Sequence, residues 1–276
     1  MLSNRTATPV TIADADETPP PKPSSEYVQS FARGLGVIRA FGPRSKTMTL
    51  TEVAHKTGLT RAGARRILLT LQTLGYVALD GRNFSLTPRV LDLGYSYLSS
   101  MPLWDVAQPI MEELADRLHE SVSVSVLDGD EIVYVLRVPT HRIMTIGLSI
   151  GSRLPAYCSS MGRVLLGALP EAELDRVLGR GKLASLTRHT VTDAKQLRKM
   201  IVADAKRGWS LVDQELEEGL RSISVPLHDS TGAVIAAMNV SGQAARCTVA
   251  EMQKNFLPEL QSAAARIEQA LRLRGR

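Results

Sequence analysis

The sequence predicts an α+β protein: an N-terminal winged helix-turn-helix, a helical linker and a C-terminal domain built on an antiparallel sheet. Three observations predict it. Charge is concentrated, with ten Lys/Arg against two acids, Glu52 and Asp80, between Tyr27 and Arg89, although the 276-residue chain carries a net charge of only +5. That block reads as helix, glycine turn, helix and hairpin. Beyond it, alternating apolar–polar strands interleave with amphipathic helices, the pattern of a sheet with helices packed on it.

The order of elements follows from the residues. Residues 1–26 are polar and proline-rich, without an apolar core, and are expected to be a disordered tail. A first helix is predicted from Tyr27 to Phe41, with Val28, Phe31, Leu35 and Ile38 on one apolar face; Gly42-Pro43 ends it. Thr49-Leu50-Thr51-Glu52 has capping-box spacing and opens a short second helix. Gly58-Leu59-Thr60 turns the chain into a third helix, Arg61 to Leu74. Its inner stripe is Ala64, Ile67, Leu68, Leu71 and Leu74.

This is the helix-turn-helix pattern, whose second helix enters the major groove. Small residues at its start, Thr60, Ala62 and Gly63, allow close approach to a duplex. Arg61, Arg65 and Arg66 supply donors for guanine edges or phosphates. Tyr76–Leu79 and Phe84–Thr87 read as a hairpin with Arg82 at its tip, a wing. Arg33, Thr49 and Thr51 complete the candidate DNA contacts. A local net charge of this size in an otherwise balanced chain marks a polyanion partner.

Pro88 breaks the wing. Helices are expected over 89–100 and, after Pro102, from Leu103 to His119. The organisation predicted is therefore a tail (1–26), a DNA-binding domain (27–87), a helical linker (88–102) and a second domain (103–276). In the latter, Ser121–Leu127 and Ile132–Val138 form a hairpin, and Ile143–Ile150, Trp209–Asp213, Ser222–His228 and Ala233–Ser241 are further strands. Helices are expected at Ser160–Leu169, Glu171–Leu178, Thr192–Arg207 and Val249–Leu273.

Composition excludes several classes. Two cysteines, Cys158 and Cys247, make neither a disulfide framework nor a metal site, and suit a reducing cytoplasm. No apolar run is long enough for a membrane span, and no secretory signal opens the chain. An enzyme is the competing reading: Cys158 precedes a helix start beside Ser159-Ser160, where a thiolate would be stabilised. No catalytic spacing accompanies it, and no cofactor motif is present. A purely architectural DNA binder would not need so large a second domain.

Two segments carry a resemblance: 156–166 (AYCSSMGRVLL) and 218–227 (EGLRSISVPL). With the winged helix, linker and α+β domain in this order, the chain resembles the IclR family of bacterial transcription regulators. Residues 127–135 and 137–144 are similar to the branch that regulates protocatechuate and β-ketoadipate catabolism. The resemblance implies a GAF-like second domain binding a small acidic effector, through Ser160, Met161, Asp213, Ser222, Asn239 and Ser241. Arg142 and Arg137 are spare cations for a further carboxylate. The function implied is transcriptional control of aromatic-acid catabolism by protocatechuate, β-ketoadipate or 4-hydroxybenzoate. A different small metabolite is the alternative. The partners expected are a palindromic DNA operator, that effector and further copies of the chain, as a homodimer or tetramer.

Overall fold

The computed structural model describes residues 26–100, 103–140 and 148–274. The expected tail, Pro102 and most of the strand expected at Ile143–Ile150 lie outside the described residues. The chain divides into two units between Tyr95 and Ser96.

The first unit contains α1 (Gln29–Arg39), β1 (Thr47–Thr49), α2 (Leu50–Thr57), α3 (Arg61–Thr73), β2 (Val77–Asp80) and β3 (Asn83–Leu86). The capping box forms: the Glu52 amide donates to Thr49 Oγ1 (3.4 Å), and the Thr49 amide donates to Glu52 Oε2 (2.7 Å). Gly58 ends α2 at φ +64°, a left-handed conformation that glycine adopts without strain. Thr60 then caps α3 by accepting from the Gly63 amide at 3.1 Å. Val53, Ala64 and Leu68 are fully buried between these helices.

Two features differ from expectation. On α1, Val28, Phe31 and Leu35 are exposed, and the helix instead buries Val37, followed by Ala40 and Phe41. Leu74 also points outward. Apolar periodicity identified the helices but not which apolar residues the unit itself covers. The wing has three strands, in the order β1-β3-β2, because Thr47–Thr49 pairs antiparallel with Asn83–Ser85. Three residues are too few for alternation to reveal a strand.

A 3-10 turn, Pro88–Val90, leads into α4 (Leu91–Ser99), on which Leu91, Leu93, Tyr95 and Tyr97 are exposed. The second unit begins within this helix. It contains α5 (Leu103–Leu118), β4 (Ser121–Asp128), β5 (Glu131–Val138), β6 (Arg153–Pro155), α6 (Ser160–Gly167), α7 (Glu171–Leu178), α8 (Ala194–Arg207), β7 (Ser210–Asp213), β8 (Leu220–His228) and β9 (Val234–Gln243). The chain closes with a short helix α9 (Val249–Glu251), a π-turn (Met252–Phe256) and α10 (Leu257–Arg274), where one continuous helix was expected.

The six strands form one antiparallel sheet in the order β6-β5-β4-β9-β8-β7. One face packs Val122, Val124, Ile223 and Val240 against α5 and α10. The other face is covered by α6, with α7 and α8 behind it. One edge strand is β6, in which Arg153–Pro155 pairs with Glu131–Val133; Leu148–Ile150, the described end of the strand expected at Ile143–Ile150, is irregular. Arg153 fixes this edge through Glu131 (2.6 Å) and Asp128 (2.7 Å).

Candidate functional site

The first unit exposes its cations without neutralising them. On α3, Arg61, Ala62, Arg65 and Arg66 are exposed on the side opposite the buried Ala64–Leu68–Leu71 stripe. Arg82 occupies the two-residue turn between β2 and β3, and Arg33 is exposed on α1. None of these arginines has a carboxylate partner among the described residues. Thr60 is committed to its helix cap, and Gly63 to the amide that fills it. Thr49 is equally committed, since its hydroxyl lies 2.8 Å from Glu52 Oε2. Thr51 lines an open groove with Arg44, Ser45, His55 and Lys56, of which sequence reasoning missed Arg44 and Lys56. The groove's one carboxylate, Glu52, is held by the cap, so the groove is net basic.

The second unit holds a different kind of site. The α6-facing side of its sheet is polar although buried. Register places Ser123 opposite Asn239 and Asn239 opposite Ser224; beside them Ser121, Ser241 and Ser222 pair in the same way. Paired residues share a face, so these side chains form two cross-strand polar rows, each residue no more than 8% exposed. The Ser-Val-Ser-Val-Ser-Val run at 121–126 is the sequence signal that could have revealed Ser123 and Ser125.

Between this face and the start of α6 lies a cavity lined by Tyr134, Ser160, Met161, Ser222, Asn239 and Ser241, together with Leu216 and Leu220. Its volume of about 20 Å³ has room for a single water. An organic acid therefore enters only if the lining moves. Three buried polar atoms at or beside the cavity have no hydrogen-bond partner among the described residues: Ser160 Oγ, Ser224 Oγ and Asn239 Oδ1. Asn239 uses its amide nitrogen on Ser241 Oγ at 2.9 Å, which leaves its oxygen to accept. Orphaned buried polar groups are costly and uncommon in folded proteins, and a polar ligand would satisfy them.

The helix start is built for this approach. Ser159 caps α6 by accepting from the Gly162 amide at 3.2 Å, so the first-turn amides of Ser160 and Met161 present the positive end of the helix. A Cβ on residue 162 would lie 2.1 Å from the Ala156 carbonyl oxygen, so only glycine lets the preceding turn fold against the helix. Behind it, Arg163 is fully buried. It donates to Glu215 Oε2 (2.7 Å) and the Tyr157 carbonyl (3.0 Å), tying α6 to the loop that carries Leu216.

The structure brings together Ser160, Met161, Ser222, Asn239 and Ser241, but not Asp213. Val212 lines the cavity and alternation turns Asp213 away, where Arg221 grips both its oxygens at 2.9 Å. Arg142 lies outside the described residues. Burial pushes the Cys158 thiol up to about 12, with the Glu215 charge adding to it, so Cys158 is a thiol rather than a thiolate nucleophile at neutral pH. Burial likewise raises the Tyr134 phenol to about 12, keeping it a neutral donor beside the cavity.

A winged helix with unpaired arginines, joined to a domain with a buried polar cavity, defines a DNA-binding regulator governed by a small molecule. Family comparison identifies residues 30–81 as an IclR helix-turn-helix domain and residues 95–269 as the C-terminal domain of the bacterial transcriptional regulator IclR. The chain belongs to the IclR family of transcription regulators. It is 46% identical over 239 residues to the Pca regulon regulatory protein of Pseudomonas putida, covering 86% of this chain and 82% of that one. It is similar to a crystal structure of a transcriptional regulator from Rhodococcus sp. RHA1 (53% identity, TM-score 0.81, 90% of this chain and 99% of that one). It also matches the inducer-binding domain of a double mutant of the PobR transcription factor from Acinetobacter, in complex with 3-hydroxybenzoic acid (30% identity, TM-score 0.57, 59% of this chain and 96% of that one). These relatives are regulators, not enzymes.

Proposed function

We propose that the protein controls genes of aromatic-acid catabolism in the cytoplasm, and that a small carboxylic acid of the protocatechuate, β-ketoadipate or 4-hydroxybenzoate type binds in the cavity between α6 and the polar face of the sheet. The observation that carries this reading is the set of orphaned polar atoms at a capped helix start, Ser160 Oγ and Asn239 Oδ1. The relative holding 3-hydroxybenzoic acid in its inducer-binding domain supports the ligand class. Ser160, Met161, Ser222, Asn239 and Ser241 are the effector contacts; Asp213 instead positions Arg221.

On the DNA side, Arg61, Ala62, Gly63, Arg65 and Arg66 meet the major groove. Thr60, Thr49 and Thr51 lie at the helix starts near the phosphates, Arg33 adds backbone contact, and Arg82 reaches from the wing. The protein acts as a homodimer or a dimer of dimers reading two half-sites of an imperfect palindrome. The exposed apolar faces of α1 (Phe31, Leu35) and α4 (Leu91, Tyr95) support such self-association. Because the cavity has room only for a single water, effector binding selects an arrangement with a displaced lining; it acts only through its unequal affinity for the two arrangements.

The test is thermal melting of the full chain with each of the three acids. A ligand that binds the folded state raises its melting temperature by mass action. One acid is expected to give a saturable rise, and Ser222→Ala and Asn239→Ala each to weaken its binding while leaving DNA affinity unchanged. No rise with any of the three acids would refute the effector class.

A further inference from the structure

We infer that Arg137 is the anion receptor of this cavity, its guanidinium taking the effector's carboxylate at the β5 end of the polar row. The inference rests on the effector-binding reading above and extends it to a residue outside the cavity lining just described.

Arg137 faces the row because of a β-bulge. Tyr134 pairs with Ser125 and Leu136 with Val124, so β5 spends two steps where β4 spends one. Tyr134 and Arg137 are three residues apart, which in a regular strand would put them on opposite faces. The extra residue instead sets them opposite Ser125 and Ser123, two residues apart on one face. Bulges re-aim side chains in this way beside functional sites. The Tyr134 side of this pair already lines the cavity.

The position of the charge agrees. Arg137 Nη1 donates to Ser123 Oγ at 3.2 Å, and Ser123 is 1% exposed and pairs on its other side with Asn239. The row thus runs from the guanidinium through Ser123 to the unpartnered Asn239 oxygen. Arg137 is partly buried, and that burial pushes its pKa down; no carboxylate faces it among the described residues. The groups that face it are the Ser123 hydroxyl and the Tyr134 phenol, both neutral at pH 7. A partly desolvated guanidinium with open donors is a carboxylate site. The Asn239 oxygen suits the opposite chemistry, accepting the ring hydroxyl at the far end of a hydroxybenzoate ligand.

The experiment compares an acid with its uncharged amide. Of protocatechuate, 4-hydroxybenzoate and β-ketoadipate, the one that stabilises the wild-type protein most is titrated by calorimetry beside its uncharged amide (the diamide for β-ketoadipate). Wild type is expected to prefer the acid. Arg137→Gln should lower acid affinity at least about thirtyfold, the low end for removing one partner of a desolvated charge pair, and change amide affinity little. Arg137→Lys should keep the preference for the acid. Unchanged acid binding in Arg137→Gln, or an equal fall for acid and amide, would overturn the assignment, since a residue that merely braces Ser123 cannot read the charge. If Arg137→Gln does not fold, loss of acid preference in Arg137→Lys overturns it equally. Absence of binding by all three acids to wild type would instead remove the effector reading and this inference with it.

Discussion

In the first unit, Arg33, Arg61, Arg65, Arg66 and Arg82 stand exposed with no carboxylate beside them. In the second, Arg153, Arg163, Arg198, Arg221, Arg246 and Arg266 each hold an acid within 3.1 Å. The same residue type serves two purposes. Paired arginines fasten one element of the sheet domain to another, whereas the unpaired ones of the first unit are those proposed to meet DNA. Arg137 stands out for this reason: it is a partly buried arginine of the second unit that, like those of the first, has no carboxylate partner among the described residues.

Breaking a fastening arginine should give the largest effect on stability. Arg163→Ala would leave Glu215 buried with its charge uncompensated, which costs about 3–5 kcal/mol. Denaturant unfolding followed through Trp104 and Trp209, both in the second unit, is the measurement. Replacing both partners together, Arg163→Met with Glu215→Leu, should recover much of the loss, because two apolar side chains leave no charge stranded. A small loss in Arg163→Ala alone would mean that water reaches the pair. The distinction between fastening and reading arginines would then blur.

Much of this division was legible in the sequence, and its limits have physical causes. Charge density, the Thr49–Glu52 spacing and the Gly58 turn identified the reading head, because each is a local signal. Arg163 was visible within a buried-looking run, Met161 to Leu166, but its partner lies 52 residues away and no local rule points to Glu215. The bulge that turns Arg137 inward was invisible for another reason. From Ile132 to Leu136 every residue is apolar or aromatic, so alternation cannot fix which face each takes. Asp213 was placed at the cavity by resemblance; the alternation of β7, with Val212 facing in, turns it out. On the first helix, Val28, Phe31, Leu35 and Ile38 share one apolar face, yet Phe31 is 69% exposed, because periodicity identifies a helix face without showing what covers it.

The reading arginines should show the converse behaviour. Arg65→Ala and Arg66→Ala remove exposed side chains without partners, so stability should change by no more than about 0.5 kcal/mol. Affinity for a DNA fragment selected by the wild-type protein from a random pool should fall by about 1–3 kcal/mol if a base edge is lost. If only a phosphate contact is lost, the salt dependence should flatten by about one unit of slope. Anisotropy titrations at several salt concentrations separate the two. Effector binding should be untouched in both variants. Unchanged DNA affinity in both would mean that the exposed face of α3 is not the reading surface.

The smallest effect sharpens the comparison from inside the first unit. If its arginines contribute nothing to folding, its stability must come from its apolar core and its helix caps. Thr49→Ala removes the hydroxyl that accepts from the Glu52 amide, while Glu52 can still take the amide of residue 49. The expected cost is about 1 kcal/mol, typical for a lost threonine cap. The first unit has no tryptophan, so the change will not appear in Trp fluorescence and must be read by amide hydrogen exchange of α2 in the full chain. Faster exchange in α2, with DNA affinity reduced only as far as the unit is opened, would locate its stability in the cap and leave its charge free for DNA. A loss of DNA affinity well beyond the loss of protection would instead make Thr49 a contact in its own right, and the cap would then be part of the reading surface.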